Sequence, residues 1–287
     1  MRVLFYSTIK SFNWKATFAF LLILLFWQLI AYSHFLLLSY VWRLFAWQPP
    51  IPNWRFLSSP LNVILSLPFE LTRGSLITDS IKTYIHTSSA FVISFCLSLI
   101  ICILLCISTN LRQGFEPIIK AMSGIPPVTL LPIFSLALGL ESGSIIALGV
   151  FGATLSTSLI LLKVLLSLNI DLSKMLENLG YSSLGVWLWK FSNISESVYL
   201  AAREGLRWSL ILVVVAEMQI GDVSHGIGYY INSARLNQNY ESVYLGIIGC
   251  AGVSLLLQTS LSVLSMLTHY FLKKLLLRGE SKRRIYQ

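Results

Sequence analysis

Four stretches of this chain carry no Asp, Glu, Lys or Arg for longer than a bilayer is thick. They are residues 16–42, 83–111, 121–140 and 242–272. An uncharged apolar run of about 18 residues or more is the mark of a membrane-spanning helix. A fifth run, 142–162, is a little above that minimum. The sixth is different. Only nine residues separate Arg207 from Glu217, which gives about 15 Å of helix, half a hydrocarbon core. A span over 198–220 must therefore carry Arg203, Glu204, Arg207 and Glu217 in or near the membrane.

Composition agrees with this reading. Only 11% of the 287 residues are charged and mean hydropathy is +0.74, whereas soluble domains are roughly a quarter charged. The net charge of +9 does not point to nucleic acid, because the basic residues flank the apolar runs. Threading six spans from an inner N-terminus leaves five of the 21 lysines and arginines outside: Arg43, Arg55, Arg73, Lys82 and Arg235. That bias places both termini in the cytoplasm. The first run is too long for a signal-peptide core and lacks a small-residue cleavage site after it, so it is expected to stay as an anchor.

The expected organisation follows. Residues 1–42 form a cytoplasmic N-terminus and the first span. Residues 43–82 form an extracytoplasmic connector, where Pro49, Pro50, Pro52, Pro60 and Pro68 argue against one continuous helix. A short interfacial helix near 61–71 is expected there. Residues 83–272 form a five-span core and 273–287 a basic cytoplasmic tail. Within the core, 163–207 is a charged interruption on the cytoplasmic side, rich in Lys, Arg, Asp and Glu. Joining two spans needs far fewer residues, so this loop is expected to touch a cytoplasmic partner. The connector reads either as a simple join or as a docking surface for an outside partner.

Motifs for chemistry are sparse. No Gly-x-x-x-x-Gly-Lys-Ser/Thr loop occurs, so ATP is not bound by that route. There is no Gly-x-Ser-x-Gly elbow. Ser224 and His225 are neighbours in sequence, which does not make a catalytic dyad. His34, His86 and His269 each stand alone in or near a run and read as packed or interfacial. Cys96, Cys102, Cys106 and Cys250 all fall in apolar runs and read as small packing residues. No metal site and no catalytic residue is expected.

The remaining signal is a series of local patterns. Glu116-Pro117 precedes Ile125-Pro126-Pro127-Val128-Thr129-Leu130-Leu131-Pro132. Asp171 leads into Leu179-Gly180. Val213-Val214-Val215-Ala216-Glu217 is followed by Gly226-Ile227-Gly228-Tyr229. In this order and spacing the series resembles the permease subunits of bacterial ABC importers of the nitrate/sulfonate/taurine type, the binding-protein-dependent inner-membrane component family. The resemblance runs over about 59–274.

The resemblance implies an all-α, polytopic protein with six transmembrane helices, like a type I ABC importer permease. It would pair with a second permease chain, as homo- or heterodimer, in the bacterial inner membrane, with lipid around it. ATP and Mg would be bound by separate ATPase subunits, and this chain would hold no cofactor. An extracytoplasmic solute-binding protein would deliver the solute. Nitrate, sulfonates, taurine and bicarbonate suit both the family and a pore carrying arginines; members of the family also carry pyrimidine vitamin precursors. The cytoplasmic loop would form a coupling helix docking on the ATPase, here Lys174, Met175, Leu176, Glu177, Leu179 and Gly180. Glycine there lets the backbone turn between two helical pieces.

The loop also departs from the family. Lys174-Met175-Leu176 stands where Glu-Ala-Ala is usual, and Phe191-Ser192-Asn193 where Ile-Leu-Pro is usual. The alternative to a transporting subunit is a degenerate permease paralogue with a structural or regulatory role. Ionisable residues in a span face a bundle interior or a wet cavity. Arg203 and Arg207 are therefore pathway candidates and Glu217 a structural or gating residue, with Glu204 positioned to pair with the arginines; Arg203 matches an arginine common in the family. Snorkelling to the interface is the competing account of the two arginines. Pro126, Pro127 and Pro132 are expected to break span three and place it inside the bundle beside the pathway. Gly226 and Gly228 are expected to shape an outer re-entrant loop or gate.

Overall fold

The computed structural model describes residues 17–29, 58–72, 74–166, 183–220 and 225–283. Every regular element among them is helical. In chain order they are α1 (Thr17–Leu29), α2 (Pro60–Thr72), α3 (Leu76–Ile107), α4 (Thr109–Ser123), a 3₁₀ turn (Pro127–Leu130), α5 (Leu131–Leu138), α6 (Ser142–Leu166), α7 (Ser183–Ile220), α8 (Ile227–Leu236) and α9 (Tyr240–Arg283). Among the described residues, α3, α6 and the 240–271 part of α9 are long and apolar enough to cross a membrane; a bent pair, α4 with the 3₁₀ turn and α5, makes a fourth if counted as one span. The chain is thus an all-α protein with the helices of a membrane protein.

It divides into two units. The smaller comprises residues 1–74 and 233–245. There α2 is tied to the start of α9 by two serine–carboxylate bonds: Ser58 Oγ donates to Glu241 Oε1 (3.0 Å) and Ser242 Oγ to Glu70 Oε1 (2.8 Å). Trp27 of α1 packs against Tyr244, ring centroids 5.1 Å apart. The short helix expected near 61–71 is present as α2.

The larger unit comprises residues 75–232 and 246–287. Its centre is α6, of whose most apolar window 61% is buried, against 28% for α3 and 17% for α9. The pattern on α3 shows why. Thr83, Thr87, Ala90, Ser94, Ser98 and Cys102 recur every three or four residues and are buried, while Val92, Ile93, Ile100 and Ile103 face outward. Small and hydroxylated residues inside, branched apolar ones outside, is the reverse of a soluble helix. It suits lipid, where helices associate through close backbone contact and interhelical hydrogen bonds. Ser98 Oγ donates to Thr154 O (3.1 Å) and Cys102 Sγ to Ser158 O (3.2 Å), both on α6. On the other side, a Cβ on Gly205 of α7 would run into Thr157 of α6. The absence of side chains there is what lets α6 and α7 touch.

Several expected boundaries move. The run 83–111 lies in a helix that starts earlier, at Leu76, and stops at Ile107. Ser108 ends it in extended conformation and caps α4 by accepting from Leu111 N (3.4 Å). The run 121–140 is not one straight span: α4 and the segment Pro127–Leu138 meet at 91°. Pro126 and Pro127 cannot donate to a helical ladder, and Thr129 N (3.0 Å) and Oγ1 (2.8 Å) both satisfy the Pro126 carbonyl. The segment 198–220, expected as a span, lies in a helix that begins much earlier and is not among those long and apolar enough to cross a membrane. One helix, Ser183–Ile220, takes up the second half of the charged interruption. Lys174, Met175, Leu176, Glu177, Leu179 and Gly180 lie outside the described residues.

Candidate functional site

Glu217 is fully buried near the end of α7. A carboxylate in such a place must have its lone pairs satisfied. Thr83 Oγ1 donates to its Oε2 (2.8 Å), and so does the backbone N–H of Gly228 (3.1 Å). His86 Nδ1 lies 3.0 Å from Oε1. The network continues outward in two directions. Thr83 Oγ1 accepts from Ile227 N (2.8 Å), and His86 Nε2 lies 3.1 Å from Ser142 Oγ. With Nδ1 donating to the carboxylate, a neutral imidazole accepts the Ser142 hydroxyl proton at Nε2. One acid thereby joins α3, α6, α7 and α8.

The glycines of the Gly-x-Gly pattern are explained by this corner. Gly226 has φ +150°, a conformation other residues rarely adopt, and a Cβ there would collide with the Glu217 carboxyl group. A Cβ on Gly228 would strike Val214 O and come within 2.7 Å of Glu217 Cβ. The first turn of α8 can therefore press its positive dipole end onto the carboxylate, with Gly228 N–H donating to it. His225, just before, is held at φ +41° and meets Tyr229 edge-on, centroids 5.1 Å apart.

A second polar region lies further back on α7. Arg203 and Glu217 are fourteen positions apart, or about 21 Å of helix. Arg203, Glu204 and Arg207 line a cavity of about 430 Å³, closed on the other side by Ser254 and Gln258 of α9. Glu204 Oε1 accepts from Arg207 Nη2 (2.6 Å) and from Trp208 Nε1 (3.0 Å). The ion pairs among the described residues are Lys120–Glu116 and Arg207–Glu204, with His86–Glu217 a hydrogen-bonded contact; Arg203 has no carboxylate partner there. A larger cavity, about 580 Å³, is lined by Phe91, Phe95, Val198 and Leu261 among others, with no charged side chain.

The expected site residues thus fall into three places. Glu217, Gly226 and Gly228 come together. Arg203 and Arg207 share the cavity, with Glu204 paired to Arg207 as the sequence indicates. The prolines join neither. Pro126 and Pro132 are exposed, and Pro127 packs at Gly152 of α6, where a Cβ would lie 3.1 Å from its Cγ. The expectation that His86 stands alone is corrected: it bridges Glu217 and Ser142. Thr83 and Ser142 were not singled out. The signal available was the spacing Thr83, His86, Thr87 on one helix face. An imidazole within an uncharged run needs a polar partner.

Among the described residues no three His, Cys, Asp or Glu are grouped as a metal site. No protein-family model matches the chain, and no curated protein matches it.

Proposed function

We propose that this chain is the permease subunit of an ATP-driven importer of the type I ABC class, with six spans in a bacterial inner membrane and both termini in the cytoplasm. It pairs with a second permease chain. Separate ATPase subunits bind ATP and Mg, and an extracytoplasmic binding protein presents a small oxyanion such as nitrate, a sulfonate, taurine or bicarbonate. The observation that carries this reading is the convergence at Glu217. Ala216-Glu217 and Gly226-Ile227-Gly228, two of the patterns on which the family resemblance rests, are one structural unit.

The geometry also suits mechanical coupling. The segment 174–180 lies just ahead of α7, and α7 runs unbroken for 38 residues, about 57 Å at helical rise. A displacement imposed at its first turn is carried along a stiff rod to the Glu217 corner. There α3, α6 and α8 are hydrogen-bonded to the same side chain or to its partners, so they move with it. In this scheme the chain has no catalytic residue of its own.

The test is purification in mild detergent from the native host, with mass spectrometry of associated chains, followed by Gly180→Trp in the intact complex. An ATPase subunit is expected to co-purify, and G180W to abolish solute uptake while leaving the complex assembled. Recovery of this chain without an ATPase, under conditions that hold ABC complexes together, selects the second reading: a permease paralogue with a structural role. Lys174-Met175-Leu176, bulkier than Glu-Ala-Ala and opposite to it in charge, favours that second reading.

A further inference from the structure

Helices α3 and α6 run parallel and in register. Three contacts join them, His86 to Ser142, Ser98 to Thr154 and Cys102 to Ser158, and each spans the same 56 residues. Carried on to Ile107, the last residue of α3, that offset reaches Lys163 in the last turn of α6. Both helices therefore end close to one level of the bundle, and α4 starts there from its cap at Ser108.

Basic side chains gather at this end. Lys120, Arg112 and Lys163 all lie close enough to the Glu116 carboxylate to act on it electrostatically. Lys120 Nζ bonds to it, 2.7 Å from Oε1. Among the described residues, Arg112 and Lys163 make no ion pair and no side-chain hydrogen bond. Three cations around one carboxylate leave a surplus of two. The C-terminal ends of α3 and α6 offset part of it, at about half a negative charge each, so about one positive charge remains.

An apolar surface adjoins the cluster. Leu111, Phe115 and Ile118 recur every three or four residues along α4 and are exposed. Ile119, on the neighbouring strip, packs on the core beside Cys102 and Leu161, and no residue of α4 is buried. A helix with basic residues beside an open apolar face is built for the boundary between head groups and acyl chains. Basic clusters between the ends of membrane helices suit anionic head groups.

We infer that Arg112, Lys120 and Lys163 form a binding site for an anionic membrane phospholipid whose phosphodiester carries a single negative charge. The phosphate oxygens accept from the Arg112 fork and the Lys163 ammonium. An acyl chain lies along Leu111, Phe115 and Ile118. Glu116 opposes the head group and holds Lys120 away from it, so it limits the affinity. In the orientation proposed above, the lipid belongs to the cytoplasmic leaflet. The site needs neither an ATPase nor a solute, and it stands apart from the importer reading.

The experiment incubates the full chain in detergent with phosphatidylglycerol or with phosphatidylcholine of the same acyl chains, and native mass spectrometry counts the lipid retained. Wild type is expected to prefer phosphatidylglycerol. A basic residue beside an anionic surface contributes about a fivefold preference. Arg112→Gln and Lys163→Gln are each expected to lower phosphatidylglycerol retention by about that factor. Glu116→Gln is expected to raise it, because the opposing charge is gone and Lys120 is released. Lys82→Gln, the same loss of charge near the other end of α3, is expected to leave it unchanged. Lys163 is exposed, so K163Q carries the test if R112Q does not fold. Equal retention of the two lipids by wild type overturns the inference. So does a loss in K82Q as large as that in K163Q, or an E116Q that retains no more phosphatidylglycerol than wild type, the result expected if these cations only set topology.

Discussion

The two ionisable regions of α7 are built on opposite terms. At Glu217 the carboxylate is fully buried, accepts from a hydroxyl and a backbone N–H, has an imidazole against its other oxygen, and is enclosed by glycines that leave no spare volume. At Arg203 and Arg207 the side chains are exposed to a cavity, and among the described residues Arg207 is paired with a carboxylate and Arg203 is not. The first region is a joint, because nothing can enter without displacing part of the structure. The second has room, charge and unused donors. A charged residue in a membrane helix is thus not by itself a sign of a pathway; what matters is whether its partners come from the protein.

The contrast is broken most directly at the joint. Glu217→Ala is expected to destabilise the folded chain by about 3–5 kcal/mol, because it leaves the buried Thr83, Gly228 and His86 partners without their acceptor, at about 1–3 kcal/mol each. The fraction recovered as a monodisperse peak in fluorescence-detected size exclusion reads this out. E217A behaving as wild type would make the joint dispensable. A smaller effect is expected for His86→Phe, which keeps the ring volume and leaves Thr83 and Gly228 on the carboxylate. A double-mutant cycle with Glu217→Gln measures the His86–Glu217 coupling, and additive losses would mean the imidazole contributes packing alone. The smallest effect belongs to the cavity. Glu204→Gln removes an ion pair whose arginine side chain is 63% exposed, and exposed pairs at this spacing are worth about 0.3–0.5 kcal/mol. Its thermal melting should stay within a degree or two of wild type. A large loss would place Glu204 in the scaffold and erase the distinction between the regions.

Much of the fold was legible because lipid imposes a simple rule on composition. The uncharged runs 142–162 and 242–272 each lie within one long helix, and the run 83–111 lies in one up to Ile107. The prolines at 126 and 127 became a break, for the local reason that they cannot donate. Boundaries were less legible. Lys82 and Asp79 lie inside α3, since a charge at a helix end does not stop the helix when its long side chain or a partner meets its needs; Asp79 accepts from Ser75 Oγ (2.6 Å). The charged interruption reads as loop up to a span at 198–220, yet it is helical from Ser183, because Lys, Glu and Arg are good helix formers wherever they sit.

The sequence by itself determined that this chain is all-α and apolar enough to live in a membrane, and that Glu217, Arg203 and Arg207 would need special surroundings. Those conclusions rest on free energies of transfer and on helical rise, which depend on residue type and number along the chain. Only the tertiary structure decided which surroundings they received. Thr83, His86 and Ser142 reach Glu217 from helices far away in sequence, and the Cβ-free backbone of Gly226 and Gly228 makes space for the carboxyl group. Among the described residues no carboxylate pairs with Arg203. Hydrogen bonds and steric fit act over a few ångströms, so they are set by which helices become neighbours in space, and the spacing of residues along one strand of sequence does not encode that.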